Sequence, residues 1–225
     1  MKTLISKIFI GFLITAASFA SGNARDLIKL KASECTEEEK EHFYNFFGSM
    51  PKVLQREEFI GYAEELPCIA CMELVLNRGL VEINSKSLRE NWPYTFNTAL
   101  MVAVKNNQEE AVEFLLSKGA DANIKDENQD APISLAIIQN NCNMVRLLLD
   151  AGADVNIRNA YENTPLILAA IQNNSNIVNS LLNEGADIDA KNTFGLTAMG
   201  YAELSNSQSV LKLLKEAAKK KHSEL

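Results

Sequence analysis

The pair Cys68-Ile-Ala-Cys71, preceded by Pro67, is the best candidate in this sequence for covalent chemistry. Proline opens a helix readily, because the first turn has no partner for its missing N–H. A thiol at such a helix start feels the helix dipole and the free N–H groups, which lower its pKa and favour the nucleophilic thiolate. Thiol–disulfide exchangers use that geometry. The surrounding elements argue against one here, because no alternating strand–helix pattern of a thioredoxin-like fold accompanies the pair. The cysteines therefore read as structural. Cys35, Cys68 and Cys71 form the possible disulfide set, with Cys35 the expected partner of one of the other two, and sequence cannot choose the pairing. An exported thiol-redox protein using Cys68 and Cys71 is the alternative reading. Cys142 is expected to be a semi-buried free thiol.

Other chemistry finds little support. The two histidines, His42 and His222, are far apart, and neither accompanies a serine or cysteine motif. Cys68-x-x-Cys71 lacks the second ligand pair a zinc site needs, and no Gly-rich loop has a phosphate-binding spacing. The expectation is a protein that is not an enzyme, with no catalytic residue, metal, cofactor or small-molecule substrate. The formal charge of −7 over 225 residues also disfavours nucleic acid, whose phosphates need a basic face. The one basic run, Lys219-Lys220-Lys221, reads as a solvated helix end. His222-Ser-Glu-Leu225 is only a weak match to an endoplasmic-reticulum retrieval signal.

The chain opens with Lys2 and Lys7, an apolar run from Ile8 to Ala17 and small residues up to Ala24. That order predicts a secretory signal peptide over 1–24, cleaved after Ala20 or Ala24. The run is short for a bilayer crossing, which needs about 20 apolar residues. No stable membrane span is expected after cleavage. The predicted destination is the periplasm or the exterior, or the endoplasmic-reticulum lumen in a eukaryote, compartments that permit disulfides.

The elements that position everything else emerge from self-comparison, since similarity at a fixed period marks a repeat architecture. Gly-Ala-Asp begins at Gly119, Gly152 and Gly185, at equal intervals. At a fixed distance before each glycine, and once more a full interval on, stand Thr98-Ala-Leu-Met-Val-Ala103, Ala131-Pro-Ile-Ser-Leu-Ala136, Thr164-Pro-Leu-Ile-Leu-Ala169 and Thr197-Ala-Met-Gly-Tyr-Ala202. Apolar stretches precede each glycine, as Phe114-Leu115-Leu116, Leu147-Leu148-Leu149 and Leu181-Leu182. Pro132 and Pro165 suit a first helical turn. Asn107, Asn140, Asn173 and Asn206 recur between the two apolar segments, where asparagine tolerates a left-handed backbone.

This pattern resembles the ankyrin repeat. The resemblance implies an all-α solenoid of stacked helix-turn-helix units with short protruding loops. It divides the chain into an N-terminal helical cap with one eroded ankyrin-like repeat (25–92), repeats at 93–125, 126–158 and 159–191, a C-terminal capping repeat (192–217) and a basic tail (218–225). In the eroded unit Gly79 closes the stretch from Met72 to Arg78. Ahead of it, Thr36-x-x-Glu39 reads as a capping box. The family's histidine is missing from all four units, replaced by Met101, Ser134, Ile167 and Gly200. Its hydrogen bonds between neighbouring repeats should therefore be missing as well.

The resemblance further implies a non-catalytic module that binds a partner protein of unknown identity through a concave face of loop tips and first helices. By register the tips are Tyr94, Thr95 and Asn97; Glu127, Asn128 and Asp130; Ala160, Tyr161 and Asn163; and Thr193, Phe194 and Leu196. The first helices add Lys105 and Asn106, Ile138 and Gln139, and Ile171 and Gln172. A plainer reading is that Tyr161 and Phe194 only brace adjacent loops. An exported chain of this kind also fits a secreted effector that binds host proteins.

Overall fold

The computed structural model describes residues 97–223 and, ahead of them, residues 72, 73, 76, 77, 79 and 81–86. The expected signal peptide at 1–24 and the expected Thr36/Glu39 capping box, together with Cys35, Cys68, Cys71, Tyr94 and Thr95, lie outside the described residues.

Helix starts follow the side chains present. Thr98, Thr164 and Thr197 each accept a hydrogen bond from the backbone N–H three residues on, at Met101, Ile167 and Gly200. Ala131 lacks an oxygen for this, and there Pro132 occupies the first helical position. Four first helices result: α1 (Ala99–Lys105), α3 (Pro132–Ile138), α5 (Pro165–Ile171) and α7 (Ala198–Leu204). Each has only seven residues, too few to persist alone in water, so packing must hold them. In α1 every residue from Ala99 to Val104 is buried, and in α5 every residue from Pro165 to Ala170.

The second helices are α2 (Glu109–Ser117), α4 (Cys142–Asp150), α6 (Ser175–Asn183) and α8 (Gln208–Ser223). They are amphipathic, with one inward stripe each: Ala111, Val112 and Leu115; Met144, Val145 and Leu148; Ile177, Val178 and Leu181. Each first helix packs on its own second helix, and like helices pack on like from unit to unit. The outcome is two layers of helices around one continuous core running from Met72 to Leu214. Every described element is helical. Burying one Leu or Ile here contributes about 1.5–3 kcal/mol.

The reversal between the helices of each pair needs a left-handed residue. Asn107, Asn140, Asn173 and Asn206 supply it with φ of 57, 59, 53 and 52°, in keeping with the sequence reading. Gly119, Gly152 and Gly185 end the second helices at φ of 86, 84 and 82°, where a Cβ would be strained.

The stack continues upstream of α1. Met72 and Val81 are buried in the same core, and Gly79 has φ of 64°. The Asn84 side chain accepts from the Asp121 N–H at 2.9 Å, as Asn123 does from Asp154 at 2.7 Å and Asn156 from Asp187 at 2.8 Å. The segment 81–86 thus takes the place of a preceding unit's loop. At the other end α8 turns Val210, Leu211 and Leu214 inward and Lys212, Lys215, Lys219 and Lys220 outward. Lys221 ties it back to Asp189 at 2.7 Å. No helix among the described residues is long and apolar enough to cross a membrane.

The missing histidine leaves a mark. Met101 and Ile167 fill its position with buried apolar side chains. Ser134 is equally buried, and its hydroxyl has no hydrogen-bond partner.

Candidate protein-binding face

Each of the three loop tips lying within the described residues is built around one buried side-chain oxygen. Asp126 Oδ1 accepts from the N–H groups of Asn128 and Asp130 at 2.9 and 3.0 Å. Asn159 does the same for Tyr161 and Asn163, and Asn192 for Phe194 and Leu196. These three residues stand one repeat apart and are all under 9% exposed. An oxygen accepting from residues two and four ahead folds the chain back on itself, as in an Asx-turn. The turn also needs a left-handed residue, which is Gln129, Glu162 or Gly195 at φ of 62, 59 and 73°.

The tips are also fastened to one another. The Asn159 amide donates to Asp130 Oδ1 at 3.1 Å, and the Asn192 amide to Asn163 Oδ1 at 2.9 Å. Asp126 has no amide to give. In its place Lys105 Nζ bridges Asn97 Oδ1 at 2.9 Å and Asp126 Oδ2 at 3.2 Å. A second row of cations binds the carbonyl of the next unit: Lys86 to Lys125, Lys125 to Arg158, and Arg158 to Lys191. Main chain joins main chain as well, with the Thr193 N–H donating to the Tyr161 carbonyl at 3.0 Å.

With bracing carried by these groups, the rings project into solvent. Tyr161 is 61% and Phe194 69% exposed. Beside them the last residues of three first helices are exposed as well, Ile138 at 46%, Ile171 at 42% and Leu204 at 73%. These five are the large hydrophobic residues exposed among the described residues. They fall in two registers only: Tyr161 and Phe194 at equivalent tip positions, and Ile138, Ile171 and Leu204 at equivalent helix positions. Tips and first helices border one face, as the contacts of Lys105 with Asp126 and of Asn192 with the Tyr201 hydroxyl show.

Glu127, Asn128, Ala160, Tyr161, Thr193 and Phe194 are exposed at the tips, and Ile138, Gln139, Ile171 and Gln172 on the helices. Asn97 and Asn163 are buried and brace the tips, while Asp130, Leu196, Lys105 and Asn106 are half-buried. Asn106 donates to the Val102 carbonyl of its own helix. Burial raises the Asp130 carboxyl above the ordinary value, opposed by the Asn159 hydrogen bond and reinforced by neighbouring Asp126. Sequence reasoning missed Leu204, although it stands one full repeat after Ile171. It also missed the bracing row Asp126, Asn159 and Asn192, readable as an Asx side chain at the same place in each repeat.

The opposite rim, where the helix pairs reverse, is amide-rich. Asn174 donates to Asn140 Oδ1 at 2.6 Å and to Cys142 Sγ at 3.4 Å. A shallow hollow of about 580 Å³ lies there, lined by Asn107, Gln139, Asn140, Asn141, Cys142 and Asn143. Cys142 is a free thiol and exposed rather than semi-buried, because the first residue of α4 faces this rim. No group of three or more His, Cys, Asp or Glu suited to a metal ion occurs among the described residues.

A family model for ankyrin repeats in three copies matches residues 68–159 and 133–224. The chain belongs to the ankyrin-repeat family. It is also similar to the human transient receptor potential cation channel subfamily A member 1, with 38% identity over 79 residues. That match takes in 35% of this chain and 7% of the channel, so the chain spans only a small part of that relative's length. Ankyrin repeats generally mediate protein–protein interaction.

Proposed function

We propose that this ankyrin-repeat protein is a non-catalytic module that holds a partner protein on the face formed by its loop tips and first helices. One observation carries the reading: the exposed large hydrophobic residues among those described gather in two registers of that single face. Exposed aromatic and aliphatic groups set among polar ones are the makings of an interface core. Tyr161→Ala together with Phe194→Ala should weaken partner binding by about 2 kcal/mol or more, the size of an interface hot spot. Circular dichroism should be unchanged, because both rings stand clear of the core. Replacing Glu113 on α2 and Glu184, the residue that caps the end of α6, both exposed, should leave affinity nearly as it was. Affinity that follows this glutamate pair and ignores the rings would place the binding face elsewhere.

The same proposal puts the protein outside the cytosol, on the order of Lys2, Lys7, the Ile8–Ala17 run and Ala24. Intact-mass measurement on protein from its native source should show loss of about 20 or 24 residues. A full-length mature species would overturn the export reading. Non-reducing peptide mapping of the same sample should find Cys35 joined to Cys68 or Cys71.

A further inference from the structure

We infer that the partner segment received by this face carries net positive charge, with arginine or lysine side chains over the rings of Tyr161 and Phe194 and against the carboxylates of Glu127 and Glu203. The inference rests on the reading above that tips and first helices form the binding face. Charge left over is the first argument. Cations bordering the face are already employed within the chain. Lys105 holds Asn97 and Asp126, Lys125 holds the Arg158 carbonyl, and Arg158 holds the Lys191 carbonyl and Glu162. Asp126 and Glu162 are the acids those contacts match. Glu127 and Glu203 are exposed and have no ion pair among the described residues. On the other side of the balance stands Lys191, exposed at the base of the last tip. A positive segment finds counter-charge here that a neutral or acidic one cannot use.

Position is the second argument. Glu127 directly precedes Asn128, which holds the register of Tyr161 and Phe194. Its carboxylate therefore belongs to the same row of tips as the rings. Neighbouring tips in that row touch, as the Thr193 N–H bond to the Tyr161 carbonyl shows. Glu203 directly precedes Leu204, at the C-terminal edge of the face. One unmatched acid thus stands at each end of the stretch that holds Ile138, Tyr161, Ile171, Phe194 and Leu204.

Ring chemistry supplies the third argument. An exposed ring face carries the negative part of the aromatic quadrupole and attracts a cation. A guanidinium stacks flat on such a ring and binds a carboxylate through paired N–H groups. Arginine therefore suits both kinds of group that this face leaves free. The second helices differ. They expose both signs of charge, Glu113 and Asp150 as well as Arg146, Lys212 and Lys215, and none of the exposed large hydrophobic residues among those described.

The test is selection of a phage-displayed library of random twelve-residue peptides on the full chain, with counter-selection on the Tyr161→Ala, Phe194→Ala variant. Enriched peptides should carry net positive charge, with arginine or lysine next to apolar residues. Synthesised, they should bind the ring variant at least about tenfold more weakly than the parent, one hot-spot loss. Glu127→Lys with Glu203→Lys should slow their association about tenfold or more at low salt, and added salt should remove most of the difference. Glu113→Lys with Glu184→Lys changes the net charge equally and should slow association far less. Ring-dependent peptides that are neutral or acidic, or whose association the two charge pairs slow alike, would overturn the charge inference and leave the face standing. Peptides that bind parent and ring variant equally would overturn both. A library that enriches nothing would overturn the segment inferred here.

Discussion

Lys105, Ile138, Ile171 and Leu204 end four first helices of equal length, at the same place in each unit, yet they do opposite things. Lys105 turns toward its own tips and ties Asn97 to Asp126. The other three leave apolar groups in solvent. The difference traces to a neighbour. Where the tip carries Asn159 or Asn192, the amide fastens the previous tip and the helix end is released. Where it carries Asp126, only an added cation can fasten the tip, and the helix end is recruited for it. One repeat architecture therefore has a unit whose helix end is tied to its tips at the N-terminal side, and units with exposed apolar helix ends beyond it.

That contrast can be broken by substitution. Lys105→Ile alone should cost about 3 kcal/mol in urea unfolding, because it leaves the Asp126 carboxylate buried without its cation. Adding Asp126→Asn should recover most of the loss, since the new amide can donate to Asn97 as Asn159 and Asn192 donate to their counterparts. A double variant no more stable than the single one would show that the units are not equivalent in this respect. On the apolar side, Leu204→Lys should weaken partner binding by about 2 kcal/mol while leaving the unfolding midpoint in place, because the side chain is exposed. A lowered midpoint would mean that Leu204 supports the cap rather than a partner.

Smaller effects sharpen the picture. Ser134→Ala removes a buried hydroxyl that has no partner, and should stabilise the fold by about 1 kcal/mol by thermal or urea denaturation. Asp130 has its carboxyl raised by burial, so the folded chain holds that proton more tightly than the unfolded one. Its contribution to stability is therefore least favourable above the raised value and improves as pH falls through it. Asp130→Asn, which copies Asn163 of the next unit, should flatten this dependence. At neutral pH it should change stability by no more than about 1 kcal/mol, because solvent screens a half-exposed group. A pH profile identical in parent and variant would remove Asp130 from the account.

Much of the architecture was legible in the residues. Gly119, Gly152 and Gly185, with Asn107, Asn140, Asn173 and Asn206, mark backbone conformations that few other residues tolerate, so their spacing alone reports where helices end and reverse. Pro132 and the capping threonines likewise announce helix starts. The candidate face was legible only in part. Tyr161, Phe194, Ile138 and Ile171 were readable by register, and Leu204 would have been had the same count been carried one unit further. Asn97 and Asn163 were not readable as bracing groups, because a tip asparagine in sequence looks the same whether it faces solvent or a neighbouring tip.

Local chemistry explains the division. The sequence by itself determined the repeat length, the helix boundaries and the left-handed turns, since each depends on one residue's φ preference or on a partner within four positions. Only the tertiary structure decided which polar side chains are consumed in holding the tips together. Asp126 meets Lys105 across 21 residues and Asn159 meets Asp130 across 29, distances over which no local propensity acts. It also decided that the rings stay in solvent, because the bracing a ring would otherwise supply is already carried by amides, cations and backbone.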